Sequence, residues 1–214
     1  MKLVSVNVGL PKQVQWQGKA VLTSIFKSPL NGPVRVAKLN LVGDQQSDLT
    51  VHGGVDKAVY VYPSEHYPFW REKYPKLDFQ WGTLGENFSV EGLAEKSTSI
   101  GDRFSIGSAE FVVTQPRLPC FKLGIRLGDP GAIKTLLQSR KTGFHLAVVK
   151  EGVITAGDLI ELIESDRHGV SVTDIVDLYA GVVTRPNLLE TVVELPTLPL
   201  SWRDHFRKRL AARS

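Results

Sequence analysis

Ile100-Gly101-Asp102-Arg103-Phe104-Ser105-Ile106-Gly107-Ser108-Ala109-Glu110-Phe111-Val112-Val113-Thr114 is the stretch on which the fold turns. Two β-rich runs, 100–107 and 109–114, flank Gly107-Ser108, a turn pair. That order predicts an antiparallel hairpin. The same kind of pattern recurs on both sides. Residues 3–9 (LVSVNVG) alternate in polarity, and so do residues 33–43 (PVRVAKLNLVG), with Val34, Val36, Leu39 and Leu41 apolar. Ala58-Val59-Tyr60-Val61-Tyr62 is a β-rich run ended by Pro63. Phe144 to Lys150, Glu151-Gly152 and Val153-Ile154 predict a second hairpin. Many short strands with glycine turns point to a mainly β chain, folded as a closed or nearly closed β-barrel with a few helices.

Two helices interrupt the strands. One is predicted over Ser64 to Lys73, with Ser64 as its N-cap, and one over Pro130 to Ser139, with Asp129 as a cap. After Asp166-Arg167-His168-Gly169 the character changes. Ser171 with Asp174 resembles a capping box for a helix to Ala180, stopped by Gly181. A second helix is predicted over Asn187 to Leu195, ended by Pro196. A third runs from Ser201 to about Ala212, with Ser201 and Asp204 as cap partners. The expected division is a barrel over residues 1–166 and a three-helix unit over 167–214. Units below ~70 residues rarely stand alone, so the helices are expected to pack on the barrel.

The chain has 214 residues, 42% apolar and 22% charged, with a single cysteine. This excludes a disordered chain and a disulfide scaffold. The apolar runs are short, so no transmembrane helix is expected. MKLVSVNVGL, residues 1–10, reads as a strand and not as a signal peptide. One unpaired cysteine without an export signal predicts the reducing cytoplasm. The net charge of +4 sits entirely in residues 201–214, where Arg203, Arg207, Lys208, Arg209 and Arg213 face one Asp204. A basic tail can touch nucleic acid or a membrane surface. The favoured reading is a solvated helix face with cations near a C-terminus. Neither nucleic acid nor a membrane is expected as a partner.

No GxGxxG loop, GxxxxGK[ST] loop, GxSxG elbow or HExxH motif occurs. The five histidines (52, 66, 145, 168, 205) are scattered, without a second ligand at metal spacing. What stands out is Gln115-Pro116-Arg117-Leu118-Pro119-Cys120-Phe121-Lys122-Leu123. Its two prolines end the preceding strand and hold Cys120 in a rigid turn. Arg117 and Lys122 add positive charge that favours a thiolate. A lone cysteine also reads as a small buried hydrophobe.

Three further segments carry candidate chemistry. In VHGGVDKAV (51–59), Gly53 and Gly54 let backbone N–H groups approach an anion, Lys57 adds a cation, and His52 and Asp56 can donate and accept hydrogen bonds. A plain tight loop explains the same residues. In Gly85-Glu86-Asn87-Phe88, a carboxylate and an amide suit the edge of a heterocycle, or else Asn87 caps a turn. Arg140-Lys141-Thr142-Gly143 can hold a phosphate or end a helix.

Together these segments resemble the MOSC family, named for the C-terminal domain of molybdenum-cofactor sulfurase. The likeness rests on Gly43-Asp44, VHGGVDKAV, YPSEHY (62–67), GENFSVEGL (85–93), IGDRFSIG and QPRLPCFKL. SWRDHFRKRL (201–210) resembles the three-helix appendage of the family's YiiM-like branch. Gly143-Phe144-His145 departs from the family's Gly-Trp followed by an aromatic residue. The resemblance implies a β-barrel that binds a molybdenum cofactor, a pyranopterin dithiolene with a terminal phosphate. Cys120 would ligate molybdenum, as a soft thiolate suits a sulfur-rich metal centre. His52, Gly53, Gly54, Asp56, Lys57, Glu86, Asn87, Arg117, Arg140 and Thr142 would contact the cofactor, with Lys57, Arg117 and Arg140 on the phosphate. Pyridoxal phosphate is not implied. The branch implies reduction of small N-hydroxylated compounds, such as 6-N-hydroxylaminopurine, to amines. One cysteine cannot hold an iron–sulfur cluster, so electrons would come from a separate reductase. Asp44, Asp56, Glu86 and His52 are candidate proton donors. The alternative is a carrier that holds the cofactor, or a persulfide sulfur on Cys120, for another enzyme.

Overall fold

In a computed structural model the residues described are 1–48, 53–183 and 185–212. The strands are β1 (Lys2–Val8), β2 (Lys12–Trp16), β3 (Lys19–Thr23), β4 (Ser28–Pro29), β5 (Val34–Val36), β6 (Val59–Pro63), β7 (Phe88–Glu91), β8 (Arg103–Ile106), β9 (Ala109–Pro116), β10 (Phe144–Lys150), β11 (Gly152–Ile154) and β12 (Ile160–Glu164). The helices are α1 (Tyr67–Lys73), α2 (Phe121–Leu127), α3 (Ala132–Ser139), α4 (Val172–Tyr179), α5 (Leu188–Glu194) and α6 (Leu200–Ala211).

Eight strands form one sheet in the order β12-β8-β9-β10-β6-β7-β1-β4, antiparallel except for the parallel β6–β7 pair. The start of β1 then reaches the segment that leads into β12. Leu3 N donates to Asp158 O at 2.9 Å, Gly157 N to Leu3 O at 2.7 Å, and Ile160 N to Met1 O at 2.9 Å. The sheet thus curls until its two sides meet, which removes most of its exposed edge.

The β8–β9 hairpin turns at Gly107-Ser108 as its sequence predicts. Gly107 has φ +55, and a Cβ there would lie 2.4 Å from the Val153 carbonyl. Period-two alternation aims Phe111 and Val113 of β9, and Phe144, Leu146 and Val148 of β10, into the interior. The same apolar cluster continues through Ile175, Leu178, Val192, Trp202 and Phe206 of the C-terminal helices. A second cluster, rich in Tyr60, Tyr62, Tyr67 and Trp70, lies beneath α1, α2 and α3.

The Ser171–Asp174 capping box closes as predicted. Ser171 Oγ accepts from Asp174 N, and Asp174 Oδ2 accepts from Ser171 N, both at 3.0 Å. Other local expectations change. The strand expected over 33–43 is only Val34–Val36, with a single bridge back from Leu41. Residues 144–154 do not form a hairpin, because β11 pairs with β5 across the molecule. Ser64 is not an N-cap; it lies inside a short 3-10 turn that runs into α1. Pro199, not Ser201, precedes α6, and no side chain caps it. The β2–β3 hairpin, whose Val14, Trp16 and Val21 are only half buried, and α2 had no clear signal. Among the described residues no helix is long and apolar enough to cross a membrane.

Candidate functional site

At one end of the curled sheet lies a cavity of about 350 Å³, lined by residues from distant parts of the chain. Pro116 closes β9, Pro119 follows, and Cys120 becomes the residue before α2 in an extended conformation (φ −125, ψ 164). Its thiol is free and half-buried, and it lines the cavity. Arg117 is carried on the same turn. Its N–H donates to Gly143 O at 3.1 Å, and its guanidinium lies 5.0 Å from the Tyr60 ring centre. Tyr60 OH donates to Thr142 O at 2.9 Å, and burial pushes its phenol far above its ordinary pKa, so the ring stays neutral.

Gly143 is required at this junction. It has φ +65, and a Cβ would sit 2.4 Å from the Val61 carbonyl. The buried Glu95 accepts from Gly143 N at 2.8 Å, and its other oxygen meets His66 Nε2 at 2.7 Å. The strap over residues 141–143 is therefore held from both sides, and with it the backbone of Arg117.

The cavity is cationic. Lys27, Lys57, Arg117 and Lys122 line it against Asp44. Asp44 is spent on structure: Gly9 N (2.8 Å), Lys27 Nζ and Asn87 Nδ2 (2.9 Å) all donate to it. Burial pushes the Lys27 pKa below the ordinary lysine value despite the attraction of Asp44. Burial lowers that of Lys57 too, with Asp56 acting against it. Lys122 Nζ donates to Ser47 Oγ at 2.8 Å. Two buried donors of the wall, Arg117 Nη1 and Ser24 Oγ, have no hydrogen-bond partner among the described residues. A buried donor left unpaired costs about 1–3 kcal/mol. A ligand rich in anionic oxygen relieves both.

The structure sorts the residues predicted from sequence. Cys120, Arg117, Lys57 and Asn87 line the cavity. Asn87 is committed to the scaffold, though. Its Oδ1 accepts from Tyr60 N at 3.1 Å, and its Nδ2 donates to Asn7 O and to Asp44. Glu86 does not reach the cavity. Fully buried, it accepts from Tyr67 OH, Gly82 N, Leu84 N and Ser89 Oγ, and burial raises its pKa. Arg140 points elsewhere, bonding Asp177 of α4 at 2.6 Å. Thr142 is buried with its hydroxyl on Gly143 O. Asp56 contributes its carbonyl, which accepts from Thr114 Oγ1 and Gln115 Nε2, while its side chain is not in the cavity wall. Gly53 and Gly54 lie outside the lining, at the start of a short 3-10 turn. His52 lies outside the described residues.

Sequence reasoning missed Ser24, Lys27, Tyr60, Gln115, His145, Ser201 and Trp202, all of which line the cavity. Gln115 stands inside the cysteine motif and His145 just after Gly143, so position gave a hint for those two. Ser24 and Lys27 follow a hairpin that itself had no clear signal. Trp202 comes from α6, and only packing brings it to the barrel.

Residues 48–161 match the family model described as MOSC domain, and residues 170–213 match the one described as YiiM-like, 3-alpha helix domain. "Uncharacterized protein YflK" of Bacillus subtilis is 36% identical over 207 residues, 97% of this chain and 93% of that protein. A protein named "Reductase" from Gibberella moniliformis is 32% identical over 211 residues, 97% of this chain but 37% of that longer protein. The crystal structure of YiiM from Geobacillus stearothermophilus superposes with a TM-score of 0.80 at 35% identity, covering 98% of both chains.

Proposed function

The chain belongs to the MOSC domain family, in the branch with a YiiM-like three-helix domain, and on that premise we propose that it is a molybdenum-cofactor-dependent reductase of N-hydroxylated compounds. Its substrates are of the type of 6-N-hydroxylaminopurine, reduced to the amine. The observation that carries this reading is the half-buried Cys120 thiol in a cationic cavity whose buried Arg117 Nη1 and Ser24 Oγ lack partners among the described residues. These residues fit the cofactor. A thiolate is a soft ligand for molybdenum, and a terminal phosphate satisfies unpaired N–H and O–H donors.

Cys120 would be the protein ligand to the metal. Arg117, Lys57 and Lys122 would hold the phosphate, with Ser24 adding a hydroxyl. The bound cofactor supplies two-electron oxygen-accepting chemistry. In the overall reaction two electrons and two protons enter, the N–O bond breaks, the oxygen leaves as water and the nitrogen keeps its new hydrogen. A separate reductase delivers the electrons. Asp44 would serve the scaffold before proton delivery, since three donors occupy its carboxylate.

The test uses protein purified without air from a host that makes the cofactor. Molybdenum and released pterin are measured first, then turnover of 6-N-hydroxylaminopurine with reduced viologen as electron donor. The expected result is near-stoichiometric cofactor and steady turnover, reduced to background in Cys120→Ala with an unchanged melting curve. Turnover retained by Cys120→Ala overturns the assignment. Loaded protein that does not turn over, yet passes cofactor or a persulfide sulfur to an apo-molybdoenzyme, is the carrier instead.

A further inference from the structure

Gln115, His145 and Tyr60 stand in a row across three strands. His145 of β10 pairs with Gln115 of β9 on one side and with Tyr60 of β6 on the other. Directly opposed residues project from the same face of a sheet, and all three line the cavity. The row ends on the helical unit, where Trp202 Nε1 donates to Gln115 Oε1 at 2.6 Å. Trp202 is held from two further sides. Tyr179 of α4 meets it edge-on at 5.6 Å, and Phe206 lies 5.9 Å away on α6. Ser201, the neighbouring residue, lines the cavity and is solvent-exposed. One wall of the site is therefore built by the three-helix unit, on a rigidly packed indole.

We propose that α6 sets substrate choice: a planar nitrogen heterocycle lies against Trp202 and Ser201 while the Gln115 amide reads its edge. This rests on the reductase reading above. Trp202, His145 and Tyr60 all belong to the cavity lining, and aromatic atoms in a wall suit a planar ring. The amide has two donors and two acceptor sites. Asp56 O takes one donor at 3.2 Å and Trp202 takes one acceptor site. Among the described residues one of each is left, the complement of a ring nitrogen beside an exocyclic N–H. Both bonds also fix the amide's orientation before a ligand arrives, which lowers the ordering cost of binding.

The test compares the parent with Ser201→Trp and Trp202→Phe on two substrates, 6-N-hydroxylaminopurine and hydroxylamine. Ser201→Trp narrows the wall. It is expected to raise KM for the purine about tenfold or more, and to raise that for the much smaller hydroxylamine by a clearly lesser factor. A second readout needs no turnover: adenine, the amine product, is titrated against tryptophan fluorescence. Saturable quenching is expected in the parent and not in Trp202→Phe, which keeps Trp16, Trp70 and Trp81. Equal effects on both substrates overturn the proposal, as does adenine quenching that is absent from the parent or unchanged in Trp202→Phe. Adenine quenching through Trp202 in a protein that reduces neither substrate supports this wall and refutes the reductase reading.

Discussion

Removing the charge of Asp44 tests the electrostatic architecture of the cavity. The Lys27 side chain is 9% exposed and that of Asp44 1%. Asp44→Asn keeps the shape and one acceptor for Gly9 N. It leaves the buried Lys27 ammonium without its paired carboxylate, with only the more distant Glu86 to attract it, and turns a donor toward Asn87 Nδ2. Stranding one partner of a buried ion pair costs about 3–5 kcal/mol. For a chain of this length that lowers the melting temperature by roughly 6–20 °C. The loss depends on pH. Burial already holds the Lys27 pKa below its unfolded value of 10.5, and without Asp44 it falls further. Between the folded pKa and 10.5 the unfolded chain holds a proton that the folded chain has shed, so stability rises with pH across that window. The window is wider in the variant, and its deficit therefore shrinks as pH approaches 10.5. Urea unfolding at about pH 7 and about pH 10 measures both terms. The double variant Lys27→Met with Asp44→Asn removes the stranded charge and is expected to recover much of the loss. A deficit below about 1 kcal/mol at neutral pH, the scale of an exposed pair, would refute the reasoning. So would a deficit that stays the same at both pH values.

Arg140→Ala severs the half-exposed bond to Asp177 and is expected to cost about 1 kcal/mol or less. Molybdenum content should not change, and a loss of cofactor in that variant would return Arg140 to the phosphate site. Gly143→Ala places a Cβ against the Val61 carbonyl at positive φ. A loss of roughly 2–4 kcal/mol in urea unfolding is expected, and a variant as stable as the parent would show that the 141–143 strap yields.

Signals that act within a few residues were legible in the chain. Gly107-Ser108 turned the hairpin, Ser171 and Asp174 capped α4, and Pro116 and Pro119 set Cys120 just beyond a strand. In each case the deciding atoms are neighbours in sequence, so the local pattern carries the energy. The wider resemblance pointed to the family, which the matches over residues 48–161 and 170–213 bear out.

What faces the cavity was decided elsewhere. Glu86 and Asn87 are adjacent, yet only Asn87 reaches the wall, because Tyr67, Gly82, Leu84 and Ser89 claim the carboxylate. Arg140 looked like a phosphate ligand until Asp177, 37 residues on, took it. Strand β11 follows β10 directly but finds its partner in β5. Trp202 meets Gln115 across 87 residues of chain. The chain alone carried the β8–β9 turn, the α4 capping box and the cysteine turn, since those depend on side chains a turn or two apart. Only the tertiary structure decided pairing, burial and which polar groups remain unspent. Each of those depends on desolvation and on partners that lie far away along the chain.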